Sequence, residues 1–235
     1  INDDMLYEGL RLAGKMGTII GAHAENEAVT SYLGRQLQQA GRVDRAAFLA
    51  SRPPETELEA IRRACFWAGV TNGNLHVVHT TIADGMQAIK QAKQEGVNVT
   101  VETCPHYLYF SEEDFETIGP LLKCTPPIRS LDHVEALWQT VLSGEVDIIS
   151  SDHSPCAYEL KKNGMDNIWA AWGGISGVQA MLPVLLTEGY HKRGLGLQDI
   201  VRMMSTNPAR RFGLFPKKGS IMPGADADLI VVDLD

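Results

Sequence analysis

Four short apolar runs, each ending in a polar or ionisable residue, divide this 235-residue chain. The runs cover residues 17–23, 75–79, 97–103 and 146–152. Between and after them, apolar residues recur at helical spacing, which predicts helices. The clearest helical segments cover residues 55–68, 83–95, 131–143 and 175–188. Because buried parallel strands are continuous apolar runs joined by helical crossovers, the pattern predicts an α/β fold in β-α-β-α order.

The pattern changes near Gly219. Residues 218–224 predict a turn that leads into a new strand, and no helical spacing follows them. We therefore predict a first domain over residues 1–218 and the beginning of a β-rich domain over residues 219–235. Four βα units are too few to close an eight-stranded barrel, which typically needs about 250 residues. The first domain is therefore either an open doubly wound sheet or half of a barrel.

Composition and charge narrow the range of partners. The chain is 44% apolar and can bury a core, whereas its net charge of −8 without a basic stripe argues against nucleic acid and anionic membranes. No run approaches the roughly 18 apolar residues that a membrane span needs.

Four cysteines without a CxxC pair favour a reducing compartment and hence a cytoplasmic location. The chain begins without Met and ends within an apolar run, so we expect a piece of a longer protein.

Three of the four predicted strands end in a residue that can bind a metal ion: His23, His79 and Asp152. In parallel α/β folds the carboxyl ends of the strands face the active site, so side chains from distant parts of the chain meet there. Two neutral imidazoles and a carboxylate suit zinc or a similar divalent ion. Each residue taken alone is more often a satisfied polar group at a strand end, but three in succession favour a metal site.

Four further features leave alternatives open. On a strand, the odd offset between His76 and His79 places the two side chains on opposite faces, so we expect His76 to face the helices in a structural role. His106 could reach the mouth of the site or cap a helix. Glu102 must be paired, either in a structural ion pair or behind a metal ligand. Residues 172–175 could let a flat polar ring approach the backbone closely or could form a tight turn into the next helix.

Taken together, five segments resemble the cyclic amidohydrolases, the family of dihydropyrimidinases, hydantoinases, dihydroorotases and allantoinases. The matching segments are residues 21–26, 75–79, 102–108, 123–129 and 151–155. The resemblance implies the C-terminal half of a metal-dependent (β/α)8 TIM-type barrel, strands five to eight, followed by the start of a small β-sandwich.

The resemblance also implies a cofactor of two divalent metal ions, expected to be zinc. His23 and His79 match ligands of one ion, and Asp152 matches a ligand of the other that also shuttles a proton in catalysis. An HxH pair and a bridging carboxylated lysine are expected upstream of Ile1.

Residues 152–156 and 171–177 resemble the allantoinases most closely. The implied reaction is hydrolysis of a cyclic amide, allantoin, to the ring-opened ureido acid, with substrate contacts at Thr125, His153, Trp172 and Gly173. The resemblance implies that the protein binds a small-molecule substrate and associates with copies of itself as a homo-oligomer, a tetramer. The alternatives are a hydantoinase or dihydropyrimidinase, and a non-catalytic oligomeric homologue. An open-sheet nucleotide-binding domain fits poorly, since no GxGxxG segment follows a strand.

Overall fold

A four-stranded parallel sheet organises the computed structural model, which describes residues 2–234. The strands are β1 (Ile20–Ala22), β2 (Leu75–Val77), β3 (Val99–Thr103) and β4 (Ile148–Ile149). They follow one another in the order β1-β2-β3-β4, with Gly21 opposite His76 and His76 opposite Thr100. Among the described residues, β1 and β4 are each paired on one side only, so the sheet stays open at both edges.

Twelve α-helices accompany the sheet within the described range. They are α1 (Asp3–Met16), α2 (Glu27–Gln39), α3 (Arg45–Ala50), α4 (Pro54–Thr71), α5 (Ala83–Gln94), α6 (Pro105–Tyr109), α7 (Glu112–Ile118), α8 (Leu131–Leu142), α9 (Tyr158–Lys162), α10 (Met181–Val184), α11 (Leu197–Val201) and α12 (Asn207–Arg211). Short 3₁₀ turns span Gly119–Leu122, Ile168–Ala170 and Val178–Ala180, and π-helical turns span Leu185–His191 and Arg202–Thr206.

The core lies between one face of the sheet and the helices. Leu75 and Val77 of β2 and Val99 and Val101 of β3 are buried there together with apolar residues of α4, α5 and α8. Because side chains alternate along a strand, the residues between them point to the other face of the sheet. On β3 that face is less buried, and it carries Thr100 and Glu102.

The predicted strands are present but shorter than their apolar runs. Strands β2 and β4 end at Val77 and Ile149, before the polar residues that end the runs, although the Val78 and Ser150 amides still donate to the Ala22 and Thr103 carbonyls. His79 and Asp152 have φ angles of +41°, which no regular strand allows. Regular strand geometry therefore ends before two of the three candidate ligands, His79 and Asp152.

Three of the four predicted helices are confirmed as α4, α5 and α8. The fourth, expected over residues 175–188, begins only at Val178 and passes through 3₁₀, α and π turns. Its first residues are extended instead, because Ile175 forms a parallel bridge with His153. Helices α2 and α3 were not predicted, although Asn26 and Asp44 cap their first turns with side-chain oxygens.

Residues 219–234 form no strand in the described part of the chain. Leu229, Ile230 and Val231 are exposed there. The β-sandwich beginning near Gly219 therefore stays a prediction. No helix within residues 2–234 combines the length and the apolar character needed to cross a membrane.

Candidate metal and active site

The polar strand ends meet at the carboxyl edge of the sheet. His23 follows β1, His79 follows β2 and Asp152 follows β4. The positive φ of His79 and Asp152 is unfavourable for residues with a Cβ, and such strain persists only where the surrounding structure enforces it. The same unusual backbone at two strand ends makes this edge a candidate functional site.

His23 and His79 face each other through ring nitrogens. His23 Nδ1 lies 2.9 Å from His79 Nε2, and the rings meet edge to face with centroids 4.7 Å apart. His79 is buried, and burial lowers its pKa to about 4, with a further contribution from His23. The His79 imidazole is therefore neutral near pH 7, the form that binds metal ions. The other ring nitrogen of His79, Nδ1, has no hydrogen-bond partner among the described residues.

Glu25 holds the far side of the His23 ring. Its Oε2 lies 2.9 Å from His23 Nε2 and 2.5 Å from Arg52 Nη1, and its side chain is only 1% exposed. Burial raises the pKa of Glu25, but the contacts with His23 and Arg52 outweigh it and the pKa is lowered. An ionised carboxylate at Nε2 favours a proton there, which leaves the Nδ1 lone pair facing His79. The sequence does not predict this role of Glu25, because an acid in a loop, two residues after a histidine, carries no periodic signal.

Asp152 lies near enough to His23 to interact with it electrostatically but does not complete a compact cluster with the two histidines in the described part of the chain. Its carboxyl is half-buried; burial and the charge of Glu102 raise its pKa, and His23 opposes them. Within residues 2–234, no three His, Cys, Asp or Glu side chains are grouped closely enough to hold a metal ion by themselves. The structure thus joins His23 to His79, with Asp152 near enough to interact electrostatically with His23.

The donor set fits a divalent metal ion. Zinc–nitrogen distances are about 2.0–2.1 Å, so two imidazole nitrogens 2.9 Å apart can both reach one ion. A carboxylate behind a ligating histidine is the usual arrangement around such ions, and Glu25 supplies it for His23.

His76 does not point to the helices, and that expectation is wrong. Its neighbours Leu75 and Val77 occupy the helix side, so His76 lies on the opposite face with Thr100 and Glu102. The error arose because β2 ends at Val77, so strand alternation does not extend to His79. The structural role fits the contacts of His76: Nδ1 lies 2.8 Å from Thr100 Oγ1, and Nε2 lies 3.1 Å from Glu102 Oε2.

The pairing of Glu102 with His76 favours the structural alternative for that carboxylate. Burial raises its pKa, but hydrogen bonds from His76 and Ser150 outweigh burial and the pKa is lowered.

His106 lies inside α6 rather than capping it, and both of its ring nitrogens are buried without a partner in the described chain. Burial lowers its pKa to about 3, so its ring is neutral.

Two of the four expected substrate contacts share one cavity. Thr125 and Gly173 line a space of about 510 Å³ whose walls include Arg52, Lys123 and Trp169. Trp172 is exposed and does not line that cavity. His153 is exposed as well, and its Nδ1 accepts a weak hydrogen bond from the Val178 amide at 3.4 Å. The cavity therefore brings Thr125 and Gly173 together, whereas Trp172 and His153 are not among its lining residues.

Two glycines let the segment after Gly173 approach the strand end that carries Asp152. A Cβ on Gly174 would lie 2.4 Å from Ser154 Oγ, and one on Gly177 would lie 2.5 Å from the Ser151 carbonyl oxygen. By contrast, a Cβ on Gly173 would meet open space. Close packing thus explains Gly174 and Gly177, whereas Gly173 borders the cavity.

Comparison with known proteins identifies the family. The amidohydrolase family profile matches residues 1–235. The chain belongs to the amidohydrolase family. This amidohydrolase chain is 47% identical to an allantoinase of Rubrobacter xylanophilus over 232 residues, which cover 98% of the chain and 50% of that protein. It is 43% identical to an allantoinase of Bacillus licheniformis, covering 100% of the chain and 51% of that protein.

Solved amidohydrolase structures share the fold. The L-hydantoinase (dihydropyrimidinase) from Arthrobacter aurescens superposes with a TM-score of 0.94 at 37% identity, over 97% of this chain and 50% of that one. A D-hydantoinase from Thermus sp. superposes with a TM-score of 0.94 at 30% identity, over 98% of this chain and 51% of that one. The predicted α/β fold, half of a (β/α)8 barrel, is confirmed. The amidohydrolase chain spans about half the length of the relatives it matches.

Proposed function

We propose that this chain supplies half of the active site of a metal-dependent enzyme that hydrolyses a cyclic amide, with allantoin as the substrate and allantoate as the product. The observation that carries the proposal is the convergence of His23 Nδ1 and His79 Nε2, with Glu25 behind His23. Identities of 41–47% to allantoinases over nearly the whole chain favour allantoin among cyclic amides.

His23 and His79 would hold one divalent ion, zinc, and Asp152 would help to hold a second. When bound, such ions activate water near neutral pH and polarise the substrate carbonyl. The remaining ligands would come from residues outside this chain, an HxH pair and a carboxylated lysine.

Asp152 would accept the proton of the attacking water and later return it. Water adds to the amide carbon, and the proton that it loses passes to the Asp152 carboxylate. The carbon–nitrogen bond then breaks, and Asp152 returns the proton to the departing ring nitrogen, so the ring opens to a ureido acid with no net proton change at Asp152. Burial and the charge of Glu102, which raise the pKa of Asp152, favour this acceptor role.

The substrate would lie against the cavity that Thr125 and Gly173 share, with the ring held by backbone groups. Trp172 and His153 are proposed as more peripheral contacts, since both are exposed beside that segment. We also propose that the protein is a homotetramer. We propose a cytoplasmic location because the cysteines are all free, namely Cys65, Cys104, Cys124 and Cys156.

The test is turnover by the complete protein that carries this chain. Allantoin, hydantoin and dihydrouracil should be assayed in parallel, with bound metal counted before and after chelation. We expect allantoin to be the best substrate and activity to disappear with the metal. Preference for hydantoin or dihydrouracil would favour the second candidate, a hydantoinase or dihydropyrimidinase, which the likeness to those solved structures supports. A metal-free, inactive protein would favour a non-catalytic homologue.

A further inference from the structure

We propose that Lys123, with support from Lys161, is a positioning residue that fixes the backbone around Gly173 against Thr125 and so shapes the substrate cavity. The inference rests on the proposed function for its substrate, but the contacts that carry it belong to a different part of the site from the metal ligands. Nothing in the hydrolytic steps above uses either lysine.

The Lys123 ammonium gathers three backbone carbonyls of the segment that precedes Gly173. Its Nζ donates hydrogen bonds to the carbonyl oxygens of Ile168 at 2.8 Å, Trp169 at 3.3 Å and Ala171 at 2.7 Å. These carbonyls belong to the 3₁₀ turn Ile168–Ala170 and to the residue after it, and the Ile168 carbonyl also accepts from the Ala171 amide at 3.3 Å.

The backbone of Lys123 binds the segment on the other side of Gly173. Its carbonyl oxygen accepts hydrogen bonds from the Gly174 amide at 2.8 Å and from Lys161 Nζ at 2.9 Å. The Trp172 amide donates to the Leu160 carbonyl, one residue before Lys161 in α9. The chain on both sides of Gly173 is therefore held by groups that Lys123 and α9 present.

Packing alone does not explain why these side chains carry charge. Lys123 is 7% exposed and Lys161 is 6% exposed, and neither forms an ion pair with a carboxylate in the described part of the chain. An unpaired buried ammonium is unfavourable, so an apolar residue would pack at less expense in free energy. An apolar residue, however, could not donate to three carbonyls at once.

The surroundings of Lys123 give the arrangement a dependence on pH. Lys161 of α9 and Arg52, which follows α3, are the charged groups that face it, and the Phe48 ring of α3 lies 5.1 Å from its Nζ. Burial, together with the charges of Lys161 and Arg52, lowers the pKa of Lys123 to about 8. Above that pH the amine keeps fewer protons and no charge, so the carbonyls are held less firmly.

Stability and substrate binding should then respond to pH in opposite directions. Because the folded state binds fewer protons at Lys123 than the unfolded state from about pH 8 to the ordinary value of 10.5, the contribution of Lys123 to stability rises with pH across this window. As the pH rises through about 8, Lys123 loses its proton and its hydrogen bonds to the carbonyls weaken, so KM should rise.

The experiment compares Lys123→Met with Lys162→Met in the complete protein. Lys162 is the exposed neighbour of Lys161 in α9 and serves as the matched control. We expect Lys123→Met to raise KM about tenfold or more and to change kcat less than about threefold. We also expect faster hydrogen–deuterium exchange at the Trp172 and Gly174 amides, and loss of the rise in KM that we expect of the parent between pH 7 and 9. Lys162→Met should match the parent in all three.

Each arm can overturn the inference. Unchanged amide exchange in Lys123→Met would show that the lysine does not hold the segment, and an unchanged KM would show that the segment does not shape the substrate site. If Lys123→Met fails to fold, Lys123→Arg replaces it, because arginine keeps the charge and the donors but does not titrate in this range. Loss of the change in KM between pH 7 and 9 in that variant would support the proposal, and a pH profile unchanged from the parent would contradict it. If the parent hydrolyses no cyclic amide, the proposed function fails, and the exchange measurement still decides whether Lys123 is a positioning residue.

Discussion

At the scale of single residues, Asp152 is the group whose proposed role depends most on chemistry rather than on packing. Asp152→Asn keeps the shape of the side chain and one oxygen, but an amide cannot accept and return a proton. We expect kcat to fall by about 10²- to 10⁴-fold, with further loss if metal binding weakens. KM should move much less, because Thr125 and Gly173 lie on other segments.

Steady-state kinetics at saturating zinc, with bound metal counted in the same sample, measure this effect in the complete protein. Asp166→Asn, at an exposed acid, is the matched control and should behave as the parent. If Asp152→Asn retains its metal and a kcat within about tenfold of the parent, Asp152 is not the proton shuttle. His153 or His106 would then be the better candidate.

Two histidines three residues apart should respond differently to alanine. His79→Ala should lose metal and activity together, since His79 Nε2 faces His23. His76→Ala should keep both, because the two ring nitrogens of His76 already contact Thr100 and Glu102. It should instead lower the free energy of unfolding by about 1–3 kcal/mol, the cost of leaving buried polar groups unsatisfied. Equal loss of metal from both variants, measured by elemental analysis, would contradict these roles.

At the scale of elements, a buried ion pair joins the segments that surround the site. Arg129 Nη2 lies 2.8 Å from Glu57 Oε2, both side chains are at least 95% buried, and Glu57 also accepts from the Thr81 amide. Glu57→Gln should lower the free energy of unfolding by about 3–5 kcal/mol, because it leaves the Arg129 charge buried without its partner. Glu8→Gln, which breaks an exposed pair with Arg11, should cause no measurable change in a denaturant titration. A small effect at Glu57 would mean that water or other groups compensate Arg129.

The elements show what local sequence can and cannot predict here. The apolar runs and the helical spacing predicted four parallel strands and three of the crossover helices because burial dictates both patterns. The metal-ligand candidates His23, His79 and Asp152 followed from their positions at strand ends. Glu25 and Lys123 were missed because their roles depend on partners far along the chain, Arg52 and the carbonyls of residues 168–171. The lengths of the strands were also missed, since the positive φ angles at their ends are imposed by tertiary structure.

At the scale of the whole molecule, the open sheet should make residues 1–235 inactive when produced alone. The outer edges of β1 and β4 have no partner strand among the described residues, and such edges invite pairing with other chains. The same residues hold no cluster of three metal ligands, so tight metal binding by the isolated chain is not expected. We therefore expect no measurable hydrolysis of allantoin and a concentration-dependent tendency to associate in light scattering, whereas the complete protein should be active under the same conditions. Robust turnover by the isolated 235 residues, with metal bound in proportion, would show that this half of the barrel contains a sufficient site and would transfer the missing ligand roles to His106 or Glu102.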